Sequence, residues 1–192
     1  MKEFFIKDIS PDETFEPIKK RNGVYVVTFM LSEENGVKRV ATTRYASEPD
    51  TEQVQADYAA WRKRHDNLLL SQAKRDKLAE IFEYNTSENV DGFLFNGTRH
   101  WLSLEARKAA KLSTDAHITL GHETTEQYLD GKIYTIPCQT LLLMLAQLEA
   151  YALQCYNNAL CQKAEVEAMT DIEEVQRYDV RNGYPEQLDF II

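Results

Sequence analysis

The apolar positions of this chain switch repeatedly between the period of a strand and that of a helix. Gly23 is followed by Val24 to Leu31, a run dense in β-branched and aromatic residues, and a turn at Ser32 to Gly36 leads into a second such run, Val37 to Tyr45. Residues of these types fit a pleated, half-buried surface, and Asn35-Gly36 between them favours a tight reversal, so the pattern predicts a β-hairpin with one aromatic-rich face. Ahead of it, the first twenty or so residues mix charge with Pro11 and Pro17 and show no period. They read as an extended arm with a short strand over Glu3 to Ile9. Pro49 cannot continue a ladder and suits the approach to a helix.

From Thr51 alternation gives way to helical spacing, which lasts until about Tyr84. Val54, Tyr58, Trp61, His65 and Leu68 step by four, three, four and three, the spacing of a helix packed on a partner helix. A helix of roughly thirty residues is about 45 Å long, more than a small domain needs to cover one face. It either bridges two modules, packs on a neighbouring chain, or is a kinked core helix, and the spacing leaves these open. Because monomers rarely expose large apolar patches, Val54, Tyr58, Trp61 and Leu68 are candidate contacts for self-association.

The polar run Asn85 to Asp91 reads as a boundary. Beyond it, GFLFNGTRHWL has two extended arms around Asn96-Gly97, a hairpin signal, and Ser103 caps a helix over Leu104 to about Ile118 with Leu104, Ala109 and Leu112 inward. Gly121 stops that helix. A second hairpin, Thr124 to Leu129 and Lys132 to Ile136, flanks Asp130-Gly131. Pro137 then opens a long apolar helix, starting LLLMLAQL, at the position where proline costs least. Thr170-Asp171-Ile172-Glu173 reads as a capping box with Thr170 as the cap, and YPEQLDFII as an extended tail. The expected fold class is α+β: an arm and hairpin module over 1–50, a linking helix over 51–84, and a C-terminal domain over 85–192 in which two hairpins pack on helices.

Composition narrows the function. With 43% apolar and 28% charged residues in 192, the chain is ordinary globular material, and a net charge of −9 spread along it argues against a broad nucleic-acid footprint. Lys19-Lys20-Arg21 and Arg62-Lys63-Arg64, the densest basic patches, read as a solvated loop and the outer face of a helix. The polar residues that break up Leu141 to Ala164 fit a buried core helix and predict no membrane span. MKEFFIKDIS has neither the basic start nor the apolar core of a signal peptide. Cys138, Cys155 and Cys161 read as small buried apolar residues, with no disulfide framework.

Candidate chemistry is thin. His117, His122 and Glu123 are close in sequence, but Gly121 breaks the helix between them and denies them the i, i+4 spacing of a helical zinc pair. There is no Gly-x-Ser-x-Gly elbow and no Gly-rich phosphate loop. The expectation is no catalytic residue, no cofactor and no metal. Arg99 and Trp101, with His100 between them, form an aromatic and cationic cluster of the type that dominates protein interfaces, which makes Arg99 and Trp101 further interaction candidates.

GFLFNGTRHWLSLEAR, YLDGKIYTI, TLLLMLAQLEAYALQCYNNA and EAMTDIEEVQRYDVRNGYP follow one another over the stretch from about Val90 to about Tyr184. In this order and spacing they resemble an uncharacterised domain family of bacteriophage and prophage proteins, often found at the ends of tail-fibre, tail-assembly and other virion-associated proteins. The first ninety residues fall outside the resemblance, and the family brings no catalytic residues to carry over. It implies a non-enzymatic structural or accessory virion protein of the tail or its fibres, made in the bacterial cytoplasm and contacting other phage structural proteins or itself. The alternatives are a cytoplasmic tail-fibre assembly chaperone absent from the particle, and a small phage enzyme or host-takeover factor.

Overall fold

The computed structural model describes residues 2–129 and 131–192, so Asp130 of the predicted Asp130-Gly131 turn lies outside the described residues. The fold is α+β, and the chain divides into two compact units, Met1–Ser71 and Gln72–Ile192. That division falls inside the long helix α1 (Thr51–Asn85), not in the polar run after it.

In the first unit β1 (Phe5–Ile9), β2 (Ile18–Arg21), β3 (Val24–Glu34) and β4 (Val37–Tyr45) form an antiparallel sheet in the order β1-β4-β3-β2. The predicted hairpin is β3–β4. Asn35 and Gly36 both take positive φ, 51° and 78°, as a type I′ turn requires. Asn22 and Gly23 do the same at 50° and 76° and fold β2 back on β3. Lys19, Lys20 and Arg21 therefore lie in a solvent-exposed edge strand, where charge protects an open edge, and not in a loop. On one face of the sheet the register sets Tyr25 opposite Tyr45, Val27 opposite Thr43 and Phe29 opposite Ala41.

The first half of α1 covers that face. Val54 packs with Val27 and Tyr45, while Trp61 packs with Phe4 and Ala41, flanked by Phe29, Leu31 and Tyr58. The rings of Tyr58 and Phe29 stack at 3.8 Å, and His65 stacks on Trp61 at 4.9 Å. The Tyr45 hydroxyl donates to Asp57 Oδ2 at 2.9 Å, and the Arg64 guanidinium pairs with Glu3. From Val54 to Trp61 the four-three stripe thus packs α1 onto the chain's own sheet.

In the second unit β5 (Phe93–Phe95) and β6 (Thr98–His100) form the first predicted hairpin, and β7 (Thr124–Leu129) and β8 (Lys132–Pro137) the second. α2 (Leu104–Thr119) lies between them in sequence, and α3 (Cys138–Ala168), α4 (Ile172–Arg177) and β9 (Asp189–Phe190) follow. β9 is the unexpected element. The tail pairs parallel to β5 and completes a β6-β5-β9 sheet, with the amides of Leu94 and Asn96 donating to the carbonyls of Leu188 and Phe190 at 2.8 and 2.7 Å. Phe190 thereby joins Phe93, Phe95, Ile136, Leu141, Met144, Leu145 and Leu148 in the main core.

Caps and faces correct three further expectations. Ser103 Oγ accepts from the Ala106 amide as expected, but α4 is capped by Asp171, whose carboxylate accepts from the amides of Glu173 and Glu174. A carboxylate there satisfies two orphan donors and faces the positive end of the helix, which an upstream threonine cannot match. Leu104, Ala109 and Leu112 point outward from α2, whose inward side is marked by fully buried Thr114 and half-buried Ala110. The end of α1 belongs to this unit: Lys77 Nζ donates to the Tyr178 carbonyl at 3.0 Å, and Tyr84 packs edge-on against Tyr184.

Candidate interaction surface around Trp101

β6 places Arg99, His100 and Trp101 by strand alternation. His100 is buried between Phe93 and Phe95, and Trp101 turns out to solvent at 53% exposure. The Arg99 guanidinium is spent on its own chain. It pairs with Glu88 Oε2 at 3.2 Å and donates to the carbonyls of Glu88 and Asp91, pinning the 88–92 loop. Gly92 passes so close that a Cβ there would lie 3.1 Å from Arg99 Nε.

Trp101 borders a cleft of about 140 Å³ whose walls include Gly92, Leu102, Arg107, Tyr151, Cys155 and Tyr156. The Tyr151 hydroxyl donates to the Val90 carbonyl at 2.9 Å across the inner wall. Burial pushes the Tyr151 phenol well above its ordinary range, with the Cys155 thiol beside it adding to the effect. Burial likewise pushes the Cys155 thiol up, which leaves it a poor nucleophile. Arg107 is held by Glu149 at 2.7 Å and by the Leu102 carbonyl. The side-chain oxygen of Asn85, buried at the same cleft, lacks a protein donor. The rim is aromatic, and the walls offer both donors and acceptors.

A second, apolar cavity of about 480 Å³ lies between α2, the β7–β8 hairpin and α3, lined chiefly by Phe93, Phe95, Ala110, Leu129, Ile136 and Met144. On the outer face of the hairpin Tyr128 and Ile133 sit directly opposite each other, 72% and 66% exposed. The rings of His117 and His122 approach to 5.4 Å, and His117 Nδ1 lies 3.2 Å from the Thr124 carbonyl. Among the described residues no group of three His, Cys, Asp or Glu side chains is placed to hold a metal, and no helix is long and apolar enough to cross a membrane.

The other interaction candidates fall differently. Val54 and Trp61 are buried inside the first unit at 5% exposure and Tyr58 is half-buried on Phe29, so Val54 and Trp61 offer no free surface and Tyr58 is largely taken up by its own sheet. Leu68, at 63% exposure, remains accessible. Conversely, α3 is buried along one side only, and Leu143, Leu153, Tyr156 and Leu160 point outward. Cys138 and Cys155 are buried, but Cys161 is exposed. Compared with known proteins, the chain matches no family model, no curated protein and no solved structure.

Proposed function

We propose that this chain is a non-enzymatic structural or accessory protein of a bacteriophage particle, associated with the tail or its fibres and acting through protein contacts. The observation that carries the contact role is the surface of the second unit. Trp101 is more than half exposed there, and so are Tyr128 and Ile133, which sit opposite each other on the β7–β8 hairpin and form a paired apolar patch of the kind that marks a contact surface. Trp101 beside an aromatic-rimmed cleft has the chemistry of an interface anchor, and an inserted partner N–H would give Asn85 its missing donor. The phage assignment rests on the resemblance of the 90–184 region to virion-associated domains. Mass spectrometry of purified particles, from a phage carrying this gene, tests it: peptides of the chain should persist at a fixed ratio to the tail proteins. Their absence from particles, with the protein present in the infected-cell lysate, would replace this reading with that of an assembly chaperone.

A further inference from the structure

We propose that the outer face of α3 is a self-association surface that seats the same face of a second copy, the two helices running antiparallel. Leu143, Ala146, Ala150, Leu153, Asn157 and Leu160 are all exposed and step by three, four, three, four and three, and Ala164 continues the spacing. Three heptads of this period form the seam of a helix pair, and at 100° per residue the seam lies opposite the side of α3 that is buried in its own unit. The helix therefore carries two apolar faces, of which the fold uses one.

Charge and shape identify the occupant. From Cys138 to Gln162 the sole charged residue is Glu149, and its carboxylate is already paired with Arg107 at 2.7 Å. A chain of net charge −9 repels its copies over most of its surface, but here it presents no unpaired charge. A strongly basic or acidic partner would find nothing to pair with. A two-fold contact requires a face complementary to itself. Turned about a point between Ala150 and Leu153, this one sets Ala150 against Leu153 of the second copy, Ala146 against Asn157, and Leu143 against Leu160. Each thin position then meets a thicker one, and the two ends close on leucine pairs. A parallel pairing would instead stack Ala146 on Ala146 and Ala150 on Ala150, leaving two adjacent thin layers.

Size sets the strength. The paired seam from Leu143 to Leu160 is about 27 Å long and about 10 Å wide, and interdigitation brings the surface removed from water to about 400 Å² per copy. At about 800 Å² in total this lies in the range of weak, transient interfaces, so the dimer should dissociate in the tens of micromolar or weaker.

Sedimentation velocity of the full-length chain from about 1 to about 200 μM tests this. The expected result is a concentration-dependent dimer that W101A leaves intact and that L153E weakens at least about tenfold, with circular dichroism and thermal midpoint unchanged because Leu153 is 59% exposed. L143E and L160K should each be monomeric alone and should form a heterodimer when mixed, because only the antiparallel seating brings positions 143 and 160 together. A wild-type chain that stays monomeric throughout, a dimer indifferent to L153E, or an L143E and L160K mixture that remains monomeric would each overturn the proposal.

Discussion

Replacing Phe190 with Ala tests whether the tail is a structural strand. Phe190 is 9% exposed, meets Phe93 edge-on at a centroid distance of 5.7 Å, and lies among the core side chains of β5 and α3. Truncating a buried Phe to Ala costs about 3–5 kcal/mol, and a position at the rim of its cluster belongs at the lower end, about 3 kcal/mol. For a unit of about 120 residues each kcal/mol lowers the melting temperature by about 3–5 °C, so F190A should melt about 9–15 °C lower. Ile191, 83% exposed, is the internal control, and I191A should shift the midpoint by no more than about 2 °C. Calorimetry measures both. Hydrogen exchange supplies a local reading, because the Leu94 and Asn96 amides donate to the tail and should exchange up to about 100-fold faster in F190A. Equal melting shifts for the two variants, with both amides still protected, would refute the assignment of β9 as an integral strand.

Three further outcomes follow from the packing. W61A should destabilise the first unit by about 3–5 kcal/mol in a urea titration, while L68A stays within about 0.5 kcal/mol of wild type, because the former is core and the latter solvent-facing. A fragment of residues 72–192 should show a cooperative thermal transition, and one of residues 85–192 should melt several degrees lower for want of the Lys77 bond to Tyr178 and the Tyr84 contact with Tyr184. Tyr45 is raised from 10.0 to about 12, first by burial and then by its bond to Asp57. The folded state therefore holds this proton more tightly than the unfolded chain, so its contribution is complete below about pH 10 and is lost as pH rises towards 12. Phenolate absorbance together with the melting temperature of Y45F should show a flatter alkaline decline than wild type.

Local chemistry was legible in the sequence where it acts alone. Asn35-Gly36 and Asn96-Gly97 set their turns, Ser103 caps its helix, and the change from alternation to helical spacing at Thr51 marks a real element start. What failed needed knowledge of the other side of a contact. The Val54 and Trp61 stripe has the period of any packed helix, and the sequence does not say whether a second helix or the chain's own sheet receives it. β2 was hidden because its residues Ile18 to Arg21 are exposed throughout, leaving no apolar alternation to read. β9 is a two-residue strand whose partner, β5, lies far away in sequence, and nothing local distinguishes it from a tail. For the candidate surface, the exposure of Trp101 was recoverable from strand alternation, but the engagement of Arg99 with its own loop was not. On α3 the two apolar faces interleave, so the outward heptad is masked by the inward one.

The parallel pairing of β9 with β5 also orders events in time. Phe95 and Phe190 are partners about 95 residues apart, so at about 5–20 residues per second a ribosome needs roughly 5–20 s to deliver the second after the first. The first unit, built from hairpins and the helix that directly follows them, can close during that interval. The second unit has to wait for Phe190 with one edge of β5 unpaired, and any stall or early stop before residue 190 leaves an unfinished sheet edge beside an apolar core, the kind of surface that chaperones and proteases recognise.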